Sequence, residues 1–186
     1  ATTAEMRATA QWYSYYANAI DVHDDVHRSV SHTVDAKILC EPLGVVLAIT
    51  PFNGALSLGS WKVAPALAVG NAVILKPPAE CPGSSIRLAE LAIEAGFPPG
   101  ILNVVIGDAV LGEQLATHPD VAMVTFTGST ATARILGAKV TGMLKRFVCE
   151  AGGKSAHIVF EDADLDAAAI AATQGAFSGT GQTCVA

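Results

Sequence analysis

From residue 43 to residue 150 the chain alternates short, nearly unbroken apolar runs with longer segments whose apolar positions recur every three or four residues. Val45-Val46-Leu47-Ala48-Ile49 predicts a strand, followed by a helix within 55–69, and Ala72-Val73-Ile74-Leu75 predicts another, followed by a helix over 84–95. Leu102-Asn103-Val104-Val105-Ile106 precedes a helix near 110–117, and Ala122-Met123-Val124-Thr125-Phe126 precedes one near 129–140. Arg146-Phe147-Val148-Cys149 then leads into Glu150. Continuous apolar strands separated by helices predict an α/β fold, a parallel sheet covered on both faces. Gly70-Asn71, Gly96-Phe97-Pro98-Pro99-Gly100 and His118-Pro119-Asp120 mark the turns. Pro65 is expected to kink its helix or to lie in its first turn. Beyond Glu150 the pattern predicts one more strand, Ala156-His157-Ile158-Val159-Phe160, and an Ala-rich helix capped by Asp162-Ala163-Asp164 and running to about Phe177.

The first 42 residues have a different texture. Over 1–24, Met6, Trp12, Tyr13, Tyr16 and Ile20 fall at helical spacing, an amphipathic helix whose aromatic residues pack on a partner surface. Residues 25–42 are polar and β-branched and read as an extended arm or hairpin outside the core. His23, His27 and His32 fall in polar sequence and are expected to be solvated.

Composition narrows the classes of function. The 186 residues are 51% hydrophobic with a mean hydropathy of +0.43, ample for a core. Only 15% are charged, the net charge is −6 and the cations are scattered, which excludes a nucleic-acid footprint. No apolar stretch approaches the roughly 20 residues a bilayer needs, and the N-terminus lacks a basic-then-apolar signal pattern. A cytoplasmic protein is expected, although the first residue is Ala1 rather than Met and a targeting segment could precede it. Cys40, Cys81, Cys149 and Cys184 are far apart, with neither CxxC nor metal-ligand spacing; they fit a reducing compartment and no metal site. Cys40 and Cys149, lying in apolar runs, are expected to be packed as small hydrophobes.

Open parallel sheets collect ligands at the carboxyl ends of their strands, where Asn53, Lys76, Gly107, Gly128 and Glu150 all fall. Phe126-Thr127-Gly128-Ser129-Thr130 reads as strand, glycine turn and helix start, which offers free N–H groups and a positive dipole to a pyrophosphate, or serves as a plain cap. A GxGxxG pattern is absent. Lys76 could bond a ribose or phosphate, or simply extend its amine to solvent. Cys184 sits among glycines and small polar residues in Gly179-Thr180-Gly181-Gln182-Thr183-Cys184. As a thiolate it could attack an aldehyde carbonyl, with Asn53 donating to the oxyanion. After hydride loss to a nicotinamide, Glu150 could activate the water that hydrolyses the thioester. The competing readings are a small loop residue for Cys184 and a satisfied strand-end carboxylate for Glu150.

In order and spacing, these and further motifs resemble the NAD(P)-dependent aldehyde dehydrogenase superfamily over essentially the whole chain. They are Pro51-Phe52-Asn53, Trp61-Lys62, Pro65-Ala66-Leu67-Ala68, Gly70-Asn71, Lys76-Pro77, Glu94-Ala95-Gly96-Phe97-Pro98-Pro99-Gly100, Phe126 to Thr130, Glu150 with Gly152-Gly153-Lys154, and Gly181-Gln182-Thr183-Cys184. The resemblance implies a Rossmann-like cofactor-binding domain over 43–150, with 1–24 as one of its helices, 25–42 as part of an oligomerisation hairpin and 151–186 as the start of a catalytic domain. It implies Cys184 as nucleophile, Glu150 as general base, Asn53 with the Cys184 N–H as oxyanion hole, and Lys62 in a proton relay. Around NAD or NADP it implies Ile49, Thr50, Pro51, Phe52, Asn53, Lys76, Ala79, Gly112, Phe126, Thr127, Gly128, Ser129, Glu150, Ala151 and Gly152. It further implies a small-molecule aldehyde as substrate, a homodimer or homotetramer, and no nucleic-acid or membrane partner.

Three departures stand out. Ala79 replaces a glutamate common in the family three residues after Lys76, with Glu80 displaced by one, so NADP becomes at least as acceptable as NAD. Ala151 follows the base where leucine is common, and Ala133 replaces the last glycine of the turn-helix motif. An ending two residues past Cys184 reads as a piece of a longer enzyme, expected to be nearly inactive alone. A coenzyme A-acylating dehydrogenase and a non-catalytic nucleotide-binding member are the alternatives, and a thiol protease or amidotransferase would need a His partner that no sequence context supplies.

Overall fold

The computed structural model describes residues 2–22 and 25–185. It comprises α1 (Thr3–Ala19), β1 (Val26–Ser31), β2 (Val34–Ile38), β3 (Val45–Ile49), α2 (Ala55–Ala68), β4 (Ala72–Lys76), α3 (Gly83–Glu94), β5 (Leu102–Val104), α4 (Ala109–Thr117), β6 (Val121–Gly128), α5 (Thr130–Gly142), β7 (Arg146–Ala151) and α6 (Leu165–Phe177). Strands β1 and β2 form an antiparallel hairpin, and the other five form a parallel sheet in the order β5-β4-β3-β6-β7. His23 lies outside the described residues.

Alternation along each strand feeds two cores. Leu47 and Ile49 of β3 pack with Val124 and Phe126 of β6 and with Ala116, Ala133, Leu136 and Val140 of α4 and α5. Ala48 points the other way, joining Val73, Leu75, Leu102 and Val63 of α2, with Tyr13 of α1 and Leu88 of α3 against them. Leu47 and Leu75 are fully buried, and each such side chain contributes about 1.5–3 kcal/mol. The parallel, doubly covered α/β sheet expected from the apolar runs is therefore present.

Polar ties fix the edges of these layers. Asn71, buried between α2 and β4, accepts from the N–H groups of Leu43 (2.6 Å) and Gly44 (3.1 Å) and donates to the Ala66 carbonyl at 3.1 Å. Helix α1 seats on α2: Trp12 meets Trp61 edge-on at 5.6 Å, and Glu5 accepts from the Ser57 N–H and hydroxyl at 3.2 and 3.1 Å. Of the α1 aromatics, Tyr13 packs against the core and Tyr16 is half-buried, whereas Trp12 and Tyr15 stay largely exposed.

Four expectations are corrected. Residues 156–160 form no strand: no ladder partner reaches them among the described residues, and Ile158 and Phe160 are exposed. An apolar run without a neighbour to take its N–H and C=O groups has no sheet to join. Cys40 and Cys149 are exposed rather than packed, because Cys40 follows a hairpin strand that stands wholly in solvent and β7 is the sheet's edge, exposed from Val148 onward. Pro65 lies in the third turn of α2, not the first, and the helix ends only three residues later, which confines the disruption. Strand β5 stops at Val104, so Gly107 lies beyond the strand end rather than at it.

Candidate active site

In chain order β3, β4 and β5 step one way across the sheet and β6 and β7 the other, so the order reverses between β3 and β6. Ligands bind outside the carboxyl ends at such a switch point. Here those ends are Ile49-Thr50 and Phe126-Thr127-Gly128.

On the β3–β4 side, the Thr50 N–H donates to the Lys76 carbonyl at 3.2 Å, and Pro51-Phe52-Asn53 leads through a 3₁₀ turn at Phe52–Gly54 into α2. Lys76 closes β4, and its side chain runs along Gly112 of α4, where an added Cβ would stand 3.4 Å from its Cδ and Cε and 3.9 Å from Ile49 Cδ1. Burial pulls the Lys76 amine below its ordinary pKa, opposed by Asp108 and then Glu80. Ala79 is exposed in the turn that follows.

On the β6 side, a Cβ at Gly128 would come within 2.6 Å of Phe126 Cζ, so only glycine fits between that ring and the start of α5. Ser129 caps α5, its hydroxyl accepting from the Thr132 N–H at 3.1 Å. The N–H groups of Thr130 and Ala131 have no partner among the described residues, which leaves α5 an N-terminus able to receive an anion. Ala133 faces the core at this point.

Helix α6, capped by Asp164, ends in a 3₁₀ turn at Ser178–Gly181. Gly179, Thr180 and Gly181 have φ of 57°, 62° and 72°, three consecutive left-handed residues that swing the chain back. The Thr183 hydroxyl donates to the Ser178 carbonyl at 3.0 Å, and Asn53 Nδ2 donates to the Gln182 carbonyl at 2.8 Å. This last bond joins residues 129 apart and sets the half-buried Cys184 two positions from the Asn53 anchor.

Lys62 lies buried in α2, its Nζ donating to Thr125 Oγ1 at 3.1 Å. Burial lowers its pKa to about 8, while Glu150 and then Cys149 act in the opposite sense. In-register partners of a parallel pair point to the same side of the sheet. Thr125 pairs with Val148 and Thr127 with Glu150, so Glu150 leaves β7 on the face that α2 covers, where Lys62 sits. Glu150, Ala151 and Gly152 are exposed. Asn53 thus bonds the turn of Cys184, and Lys62 lies on the face of the sheet from which Glu150 projects; no hydrogen bond joins Glu150 to Cys184 or to Lys62 among the described residues. Thr125 gave no sequence signal of its own, standing inside an apolar run.

Among the described residues no group of His, Cys, Asp and Glu could hold a metal ion, and no helix is long and apolar enough to cross a membrane.

An open parallel sheet whose strand order reverses, with a thiol-bearing turn pinned to its carboxyl edge, defines a doubly wound α/β domain. The chain belongs to the aldehyde dehydrogenase family, whose model matches residues 1–186. It is 47% identical over 186 residues to the NADP/NAD-dependent aldehyde dehydrogenase PuuC of Escherichia coli (strain K12), covering 98% of this chain and 37% of that protein. It is 44% identical over 191 residues to the phenylacetaldehyde dehydrogenase of Pseudomonas fluorescens, covering 98% of this chain and 38% of that protein. The solved NAD+ complex of the aldehyde dehydrogenase from Bacillus cereus superimposes with a TM-score of 0.94 at 38% identity, over 98% of this chain and 37% of that one. The chain therefore spans well under half the length of the relatives it matches.

Proposed function

We propose that the intact protein oxidises an aldehyde to a carboxylic acid with NAD or NADP, and that residues 43–150 hold the dinucleotide while 151–186 open the catalytic domain. The observation that carries this reading is the Asn53 to Gln182 bond, which tethers the Cys184 turn to the carboxyl edge of the sheet whose strand β7 carries Glu150. The Cys184 thiolate attacks the aldehyde carbon, and the oxyanion of the thiohemiacetal is held by the Asn53 amide and the Cys184 N–H. Asn53 Nδ2 carries two hydrogens, so one can keep the turn in place while the other serves the oxyanion. The nicotinamide, when bound, accepts the hydride. Glu150 then takes a proton from the water that attacks the thioester, and Lys62 carries that proton away.

The residues present suit a dinucleotide. The first turn of α5 has N–H groups without a partner among the described residues for its pyrophosphate, Lys76 offers a cation at the end of β4, and Gly128 keeps the backbone low where a Cβ would collide with the Phe126 ring. With Ala79 exposed beside Lys76, no carboxylate at that position repels a 2′-phosphate, which supports NADP as well as NAD. The apolar residues Val26, Val30, Val34 and Ile38 exposed on β1 and β2 support a homodimer or homotetramer joined through this hairpin.

Assaying the intact protein on a panel of aldehydes with each cofactor tests the reading. It predicts NAD(P)H and free acid in equal amounts, at about 1–1000 per second for the preferred aldehyde. Acyl-coenzyme A as sole product, or no reduction of either cofactor, contradicts it.

A further inference from the structure

We propose that Thr125 is a positioning residue that holds the Lys62 ammonium on the face of the sheet where Glu150 ends β7, and so sets the proton exit that the reaction proposed above requires. Thr125 lies in the middle of β6, and only 7% of its surface is exposed. Its hydroxyl and Lys62 Nζ, 3.1 Å apart, are each other's only side-chain partner among the described residues. On one side its in-register neighbour is Ala48, fully buried and carrying only a methyl; on the other is Val148. Nothing else polar in that row could take the ammonium. With one N–H given to Thr125, two remain for Glu150 or water.

The surroundings make Lys62 sensitive to this single acceptor. Glu150 and Cys149 on β7 are the titratable groups that act on it. Of the elements packed on α2, α1 commits Glu5 to Ser57 and Tyr13 to Ser60, α3 pairs Arg87 with Glu90 and Glu94 on its exposed side, and Lys76 of β4 lies along Gly112 on the opposite face. An acceptor favours the charged form of an amine, so removing it lowers the amine's pKa further. In the reaction the protonated Glu150 gives its proton to the neutral Lys62 amine, which returns it to solvent as the carboxylate is restored.

The test compares Thr125→Val, which keeps shape and removes the acceptor, with Thr125→Ser, which restores it, in the intact protein. Competitive acetylation of Lys62 across pH, read by mass spectrometry of its peptide, reports the amine directly; the pH–rate profile reports its use. For Thr125→Val the account expects the Lys62 midpoint to fall from about 8 by about one pH unit, the limb of the rate profile to move with it, and kcat to drop about tenfold with KM for the aldehyde unchanged. Thr125→Ser should return all three. A folded Thr125→Val protein with unaltered midpoint and profile, or a Thr125→Ser protein as impaired as Thr125→Val, overturns the assignment. If Thr125→Val does not fold, Thr125→Ala carries the same comparison. If the wild type reduces no cofactor, the proposed function fails, while the acetylation arm still decides the Thr125 coupling.

Discussion

Lys62 pays for its position. An amine taken from its ordinary pKa of 10.5 down to about 8 by burial is a charge kept where the fold would rather have none, worth about 3 kcal/mol at neutral pH. The sign follows from proton uptake: between pH 8 and 10.5 the unfolded chain binds more protons than the folded one, so stability rises with pH across that window. Lys62→Met, neutral at every pH, should therefore be more stable than wild type by up to about 3 kcal/mol at pH 7, with the difference gone above pH 10.5. Denaturant melts of both proteins across pH check this, and a difference independent of pH contradicts it. The same variant should lose turnover, the behaviour of a residue retained for chemistry at the expense of stability.

Most elements could be read from the order of apolar residues because β3, β4 and β6 are buried on both faces and leave no polar alternation to mislead. Residues 156–160 show where that reading stops: hydrophobicity names a strand, but only a neighbour makes one. The same reason accounts for Cys149, apolar by context yet exposed on an edge strand. Of the proposed site, Cys184, Glu150, Asn53 and Lys62 are suggested by their motifs, whereas Thr125 is not, since a threonine inside an apolar run shows its partner only once α2 lies over β6. Asn71 is the tie between elements most open to measurement. Asn71→Ala leaves the N–H groups of Leu43 and Gly44 without their acceptor, while the Ala66 carbonyl keeps the backbone N–H of residue 71, and should cost about 2–4 kcal/mol. A denaturant midpoint lowered without a change in slope is the expected result; an unchanged midpoint would show that water replaces the amide freely.

Taken whole, the chain places its two cores around the sheet and leaves apolar surface on the parts that follow β7. Phe160, Leu165, Ile170 and Phe177 are all more than half exposed, and α6 buries no residue. The proposed chemistry depends on bringing a thiol from one segment and a carboxylate from another to one carbonyl carbon. Trapping the covalent intermediate tests this most directly. In the intact protein Glu150→Gln should slow hydrolysis about 10²- to 10⁴-fold while leaving acylation intact. Mixing it with an aldehyde and NAD(P) should then yield one equivalent of NAD(P)H in a burst and an acyl group on the peptide that carries Cys184. A burst without an adduct on Cys184, or an adduct on Cys40, Cys81 or Cys149 instead, would contradict the account.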